Sequence, residues 1–211
     1  MSPIRLYTYP ESTSIAPHIL LHEIGVDFET VDVTSAENGL EELRKLNPKA
    51  RIPVLVIDNQ VITESTAIMT AIAQLAPEKH LLGQSNLETV RVYEWLNWLS
   101  GTLHGHAWGM VLRPERYIDD VSMYDAIRAK GMLAAKEIYE MIEEQLEGVN
   151  AVGHGLTIVD PFLYVVYRWA ASRGIVSKET HPKICQLVSE LVKRPSVKRV
   201  IQAGFMTVIE T

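Results

Sequence analysis

Asn47-Pro48-Lys49-Ala50-Arg51-Ile52-Pro53-Val54-Leu55-Val56-Ile57-Asp58-Asn59-Gln60-Val61-Ile62-Thr63-Glu64-Ser65 is the stretch on which the fold turns. Asn47-Pro48 stops the helical pattern before it, because the residue ahead of a proline is pushed out of the helical region. Pro53 opens an apolar run, Val54 to Ile57, at a strand position where a missing N–H does no harm. Asp58-Asn59-Gln60 is a compact turn joining that run to Val61-Ile62, so the two pair as a hairpin. Glu64-Ser65 marks the junction between the hairpin and a further helix running to about Leu75.

Upstream, strand and helix patterns alternate. Ile4 to Thr8 predicts a short strand. Ser14 can cap a helix to Ile24, with Pro17 still in its first turn and Gly25 as terminator. Phe28 to Val33 predicts a second strand, and Glu37 to Leu46 a second helix. The order β-α-β-α-β-β-α requires a crossover between parallel strands in its first half. Downstream, Ala76 to Gln84 carries Pro77 and Gly83 and reads as a linker. Beyond it the patterns are helical: Asn86 to Leu103, Val121 to Leu146, the stretch opened by Thr157-Ile158-Val159-Asp160 and closed near Ser172, Pro182 to Lys193, and Pro195 to Ala203. The chain therefore divides into an α/β part over residues 1–78 and an all-helical part over residues 86–211.

Composition narrows the function. The 211 residues are 47% hydrophobic and carry a net charge of −6, with acids and bases interspersed. There is no basic stripe to neutralise phosphates, so nucleic acid is not expected as a partner. No apolar run approaches the roughly 18 residues of a membrane helix, and no secretory leader pattern opens the chain. The single cysteine, Cys185, excludes an intrachain disulfide and a C-x-x-C redox or zinc pair. The seven histidines lack zinc-type spacing, so no metal is expected. A reducing, cytoplasmic compartment fits.

Three places carry possible chemistry. Ile52-Pro53 reads as an ordinary trans proline opening a strand. A cis bond there would turn the backbone of Ile52 outward, free to pair with an extended peptide. Glu64-Ser65 reads as a helix cap, or as a grip on an amino-acid head group through free N–H groups and a carboxylate. Ser12, Thr13 and Ser14 read as cap and solvated neighbours, or as donors to an anion at the first helix's N-terminus. Further along, His104 to Arg113 is glycine-rich and reads as an irregular pocket wall including His106, Trp108 and Met110, or as a surface loop with Trp108 packed on the core.

Leu6 to Ile19 resembles the opening of bacterial beta-class glutathione transferases. Asn47 to Leu55 resembles their N-P-x-G-x-V-P-x-L segment, Thr63-Glu64-Ser65 with Ala67-Ile68 their E-S-x-A-I segment, Thr157 to Pro161 their buried capping box, and Arg194-Pro195-Ser196-Val197 their R-P-x-V ending. The resemblance implies a thioredoxin-like N-terminal domain plus an all-α C-terminal domain, with glutathione as co-substrate. It implies that Pro53 is cis, and that Arg51, Ile52 and Pro53, then Glu64 and Ser65, hold glutathione. It further implies that Asn97 reaches the other subunit of a homodimer, and that His104 lines the site.

Thr13 stands where the beta class has cysteine, and Thr8 where several other classes have tyrosine. The remaining chemistry is activation of the thiol by a hydroxyl: Ser12 aligns best with the serine of theta-like and delta-like classes, and Thr13 and Ser14 are close rivals. The expected reaction is conjugation of the thiolate to a small apolar electrophile, in detoxification or secondary metabolism. The alternatives are a glutathione-dependent isomerase of a small unsaturated metabolite and a catalytically silent glutathione-binding protein.

Overall fold

The computed structural model describes residues 3–207. The outer ends of the two expected domains, at residues 1–2 and 208–211, lie outside the described residues. Four strands form one mixed sheet in the order β2-β1-β3-β4. β1 (Ile4–Thr8) runs parallel to β2 (Phe28–Asp32), linked by the crossover helix α1 (Ile15–Ile24). β3 (Val54–Ile57) lies antiparallel to β1, and β4 (Gln60–Ile62) antiparallel to β3. Asp58 and Asn59 both take positive φ, 48° and 63°, which is the two-residue hairpin turn that matches strand twist. Gly25 closes α1 in the left-handed conformation, φ 76°.

Strand alternation divides the core. Leu6 and Leu55 point toward α1 and α3 (Ser65–Gln74), where they join Ile19, Leu20, Ile68 and Ile72 in the main core. Tyr7, Val54 and Val56 point to the other face, under Leu43 of α2 (Gly39–Leu46). Tyr7 is thereby held away from the α1 face. Its hydroxyl donates to Glu42 at 2.7 Å, and burial together with that carboxylate pushes its pKa up to about 12.

The rest is helical. α4 (Asn86–Asn97) is capped by Ser85, whose hydroxyl accepts from the Glu88 N–H at 3.2 Å. It continues without a break as a wider π-helical run, Trp98–Trp108, and then as α5 (Gly109–Leu112). This corrects the expectation of an irregular wall over residues 104–113. Residues 104–112 are helical; Leu99, Leu103 and Ala107 recur every four residues, Trp108 follows five after Leu103, and all are fully buried. Trp108 and Met110 are core side chains, not an open wall. The Trp108 indole N–H donates to the Tyr139 hydroxyl at 3.1 Å, which donates to the Val166 carbonyl at 2.7 Å. Met110 packs where α6 (Tyr124–Gln145) crosses at Gly131; a Cβ there would lie 2.8 Å from Met110 Cβ and 2.8 Å from the Ala107 carbonyl.

α7 (Val159–Ala171) runs through the centre, and α8 (Pro182–Leu191) and α9 (Pro195–Gln202) close the bundle. α1 packs against both α7 and α9. Glu23 on α1 accepts from Arg194 at 2.5 Å and from the Ser196 hydroxyl at 2.7 Å, tying the sheet-bearing part to the start of α9. Buried Asp160 accepts from the N–H groups of Ala151 and Thr157, both at 2.7 Å, and from the Thr157 hydroxyl at 3.2 Å. No helix among the described residues is long and apolar enough to cross a membrane.

Asp160→Ala leaves two buried N–H groups without an acceptor at the entry to the central helix. Each orphaned donor costs on the order of 1–3 kcal/mol, so the expected loss is about 2–4 kcal/mol in equilibrium urea unfolding. A loss below about 1 kcal/mol would contradict this role for the carboxylate.

Candidate active site

Sheet register gathers the candidate residues at one end of the molecule. Tyr7 of β1 pairs with Val54 of β3, so the end of β1 lies beside Ile52-Pro53. Leu55 pairs with Ile62, so the end of β4, from which α3 springs, lies beside the same segment. The loop into α1, the residues before β3 and the N-terminus of α3 therefore adjoin.

The Ile52-Pro53 bond is cis. Neither the N–H nor the C=O of Ile52 forms a hydrogen bond among the described residues. Asn47 holds the preceding turn by donating to the Arg51 carbonyl at 2.7 Å. Glu64 takes φ 69° immediately ahead of α3, an unfavourable conformation for a residue with a Cβ and one that concentrates at functional positions. Its side chain does not cap the helix, and it pairs instead with the Lys49 ammonium. The first N–H groups of α3, beginning at Ser65, stay open to an anion.

The hydroxyl loop is more ordered than its sequence suggests. Ser12 donates to the Tyr9 carbonyl at 2.7 Å and shares a 2.6 Å hydrogen bond with Ser14. Ser14, fully buried, also meets the Thr8 hydroxyl and, at α1's N-terminus, makes no side-chain cap. The hydroxyls of Thr8, Ser12 and Ser14 are thus engaged with one another and with the chain. Among the described residues, neither the hydroxyl nor the N–H of Thr13 forms a hydrogen bond.

Glu11, next to this loop, has φ 60° and is held from the helical part on every side. Its carboxylate accepts from Arg168 at 2.5 Å and from the Thr207 N–H at 2.7 Å; its N–H donates to the Phe205 carbonyl at 2.9 Å; its carbonyl accepts from the Trp169 indole at 3.1 Å. Arg168 is only 2% exposed and also donates to the Thr207 carbonyl at 2.5 Å. Burial raises the Glu11 pKa, but the bonds from Arg168 and Thr207 outweigh it and hold the carboxyl below its usual range. Glu11 lies in the Leu6 to Ile19 segment, but nothing there singles it out, and Arg168 belongs to no motif read from the sequence. They are 157 positions apart, and the fold alone brings them together.

His104 lies with its ring 5.4 Å from Trp169, which links it to the same loop. Burial, with Arg116, Arg51 and Arg113 nearby, holds its pKa down to about 4, so the imidazole is uncharged at neutral pH. His106 is exposed and stands 6.5 Å from the Tyr117 ring. Asn97 is exposed and donates to the Tyr93 carbonyl of its own helix at 2.8 Å. Among the described residues, no group of three or more His, Cys, Asp or Glu side chains could hold a metal ion.

If the Glu11–Arg168 pair joins the two parts of the chain, Arg168→Met and Glu11→Gln are not additive. The coupling expected from a double-mutant cycle of urea midpoints is about 1–2 kcal/mol, discounted for the part-exposed Glu11. Additivity to within about 0.3 kcal/mol would show that the two side chains act independently.

Comparison with known proteins agrees with this arrangement. A family model for the glutathione S-transferase N-terminal domain matches residues 2–74, and one for the glutathione S-transferase C-terminal domain matches residues 123–195. Glutathione S-transferase GstA of Escherichia coli O157:H7 is 29% identical over 207 residues, covering 95% of this chain and 98% of that protein. A glutathione transferase homologue from Sulfitobacter, solved with bound glutathione, superposes with a TM-score of 0.89 at 25% identity over 97% of this chain and 100% of its own. A sphingomonad glutathione S-transferase, complexed with glutathione, superposes with a TM-score of 0.81 at 26% identity over 94% and 98%. The sheet with its cis-proline, the helical part behind it and these matches along both halves lead to one conclusion: the chain belongs to the glutathione S-transferase family.

Proposed function

We propose that the protein binds glutathione along the cis-Pro53 segment and transfers its thiolate to a small electrophile. The observation that carries this reading is the meeting of three complementary features at one end of the sheet. The open N-terminus of α3, with Glu64 and Lys49 beside it, suits the zwitterionic γ-glutamyl end. The free N–H and C=O of Ile52 suit the cysteinyl backbone. The α1 N-terminus then lies where the thiol falls. The glutathione bound in the Sulfitobacter and sphingomonad relatives supports the same choice of ligand.

The chemistry asked of the loop is modest. A free thiol titrates near ~8.5, so only a few per cent is thiolate at neutral pH. Lowering that by about 2 units requires roughly 2.7 kcal/mol of preference for the anion. One hydrogen bond to a charged sulfur plus a helix N-terminus is of that size. Ser12 aligns best with the serine of the theta-like and delta-like classes, but its proton is committed to the Tyr9 carbonyl. Thr13 is the residue with a hydroxyl and an N–H to offer. Thr13 is therefore the donor in this reading, with Ser12 and Ser14 building the loop that presents it. His104, uncharged at neutral pH, borders the site and supplies no positive charge to the sulfur.

Thr13→Ala is expected to lower kcat/KM about ten- to a hundred-fold and to raise the pKa of the bound thiol, while Thr13→Ser restores much of both. Thiolate absorbance against pH in the glutathione complex reads this directly. An unshifted thiol pKa in Thr13→Ala would remove Thr13 from the role.

A homodimer goes with this reading. α4 exposes Leu87 (64%) and Val90 (60%), and α6 exposes Leu133 (65%) and Met141 (51%). Apolar side chains so placed on neighbouring helices suit an isologous contact. Light scattering at micromolar concentration is expected to give about twice the chain mass of 23.7 kDa; the chain mass itself would refute the dimer.

A further inference from the structure

Glu11 occupies a backbone conformation that glycine adopts freely. At φ 60° a Cβ crowds the following carbonyl, and a residue with a side chain stays there only where its surroundings hold it. The holding groups come from far along the chain. Both carboxylate oxygens are engaged: one by the Arg168 guanidinium at 2.5 Å, the other by the Thr207 N–H at 2.7 Å and the Thr207 hydroxyl at 3.0 Å. Arg168, buried on the central helix α7, also donates to the Thr207 carbonyl, so Glu11, Arg168 and Thr207 close a network of three. The Glu11 N–H donates to the Phe205 carbonyl, and its own carbonyl accepts from the Trp169 indole.

Thr13, two residues on, stands between this anchor and a second one. Downstream, the Ser12 and Thr13 carbonyls accept from the Ile15 and Ala16 N–H groups at 3.1 and 3.3 Å, which joins them to the first turn of α1. The ring of Thr8, Ser12, Ser14 and the Tyr9 carbonyl ties the loop to the end of β1. Among the described residues, every hydrogen bond from residues 9–14 to the helical part is made by Glu11. The angle between the loop and the helical domain is therefore set at that one position. A hydrogen bond to sulfur weakens steeply with distance and angle. A misplacement of about 1 Å can cost about a hundredfold in rate.

We propose that Glu11 is a positioning residue for thiol activation: through Arg168 and Thr207 it sets how the loop presents Thr13, so that the acidity of the bound thiol depends on a carboxylate whose own bonds all lead to the helical part. This rests on the glutathione reading above. The side chain at position 11 does what glycine could not. Glycine would make the turn but leave its direction free, whereas Glu11 makes the turn conditional on the docked α7 and the segment Phe205–Thr207.

The experiment follows thiolate absorbance against pH in the glutathione complex of the full chain, with kcat and KM measured using 1-chloro-2,4-dinitrobenzene. Glu11→Gly removes the bonds and suits φ 60°, so it tests the contacts without adding strain. It is expected to raise the bound thiol pKa by about one unit and to lower kcat about tenfold, with the KM for glutathione changed less than about twofold. Glu11→Gln keeps an oxygen for the Thr207 N–H and is expected to fall between. Glu23→Gln is the control for stability alone. It weakens the Arg194 tie at the other end of α1, ten residues or about 15 Å of helix away, and is expected to lower the urea midpoint while the thiol keeps its wild-type pKa. An unshifted thiol pKa in Glu11→Gly overturns the proposal, and so does an equal rise in Glu23→Gln, which would assign the effect to general loosening. If Glu11→Gly does not fold, Glu11→Gln decides by the same criterion. A wild-type complex whose thiol titrates like free glutathione defeats the activation reading itself, and this proposal falls with it. A depressed pKa in the wild type that the Glu11 variants leave in place defeats only the positioning role.

Discussion

The Glu11–Arg168 contact is the constraint on which the site depends. Glu11 precedes the hydroxyl loop with φ 60°, a conformation that a side chain with a Cβ occupies only when its surroundings over-determine it. Those surroundings come from far away in the sequence: Arg168, Trp169, Phe205 and Thr207 between them take up its carboxylate, N–H and carbonyl. The position of Ser12, Thr13 and Ser14 relative to α1 is therefore decided by the helical part of the chain. A sheet with α1 and α3 could present the cis-Pro53 segment, but it could not hold this loop in place.

The same dependence explains why an ordinary-looking run of hydroxyls acquires distinct roles. Ser12 and Ser14 close a small hydrogen-bonded ring with Thr8 and Tyr9. Their protons are spent on the loop itself, and Thr13 is left with its N–H and hydroxyl uncommitted. In a solvated loop the three would be interchangeable donors. Burial does not separate Ser12 from Thr13, each 5% exposed; what differs is that the Ser12 hydroxyl reaches the Tyr9 carbonyl and the Ser14 hydroxyl, and that of Thr13 reaches neither.

His104 sits beside Trp169 with its proton driven off by burial, an aromatic neighbour more than a charge.

Local rules in the sequence determined most of the fold. Asn47-Pro48, Pro53, the Asp58-Asn59 turn and Gly25 each act through backbone geometry within a few residues, and strand alternation alone separates Tyr7 from Leu6. Those features placed every strand, and the linked motifs pointed to the family. What periodicity could not distinguish was a wide helical turn from a glycine-rich loop: Gly101, Gly105 and Gly109 weaken the helical signal, and only the packing of Leu103, Ala107 and Trp108 against α6 and α7 makes the segment continue as helix. The long-range partners lay further still from the sequence's reach. Glu11 with Arg168 and the commitment of Ser12's proton follow from three-dimensional proximity and from the need to satisfy buried polar groups, neither of which is carried by spacing along the chain.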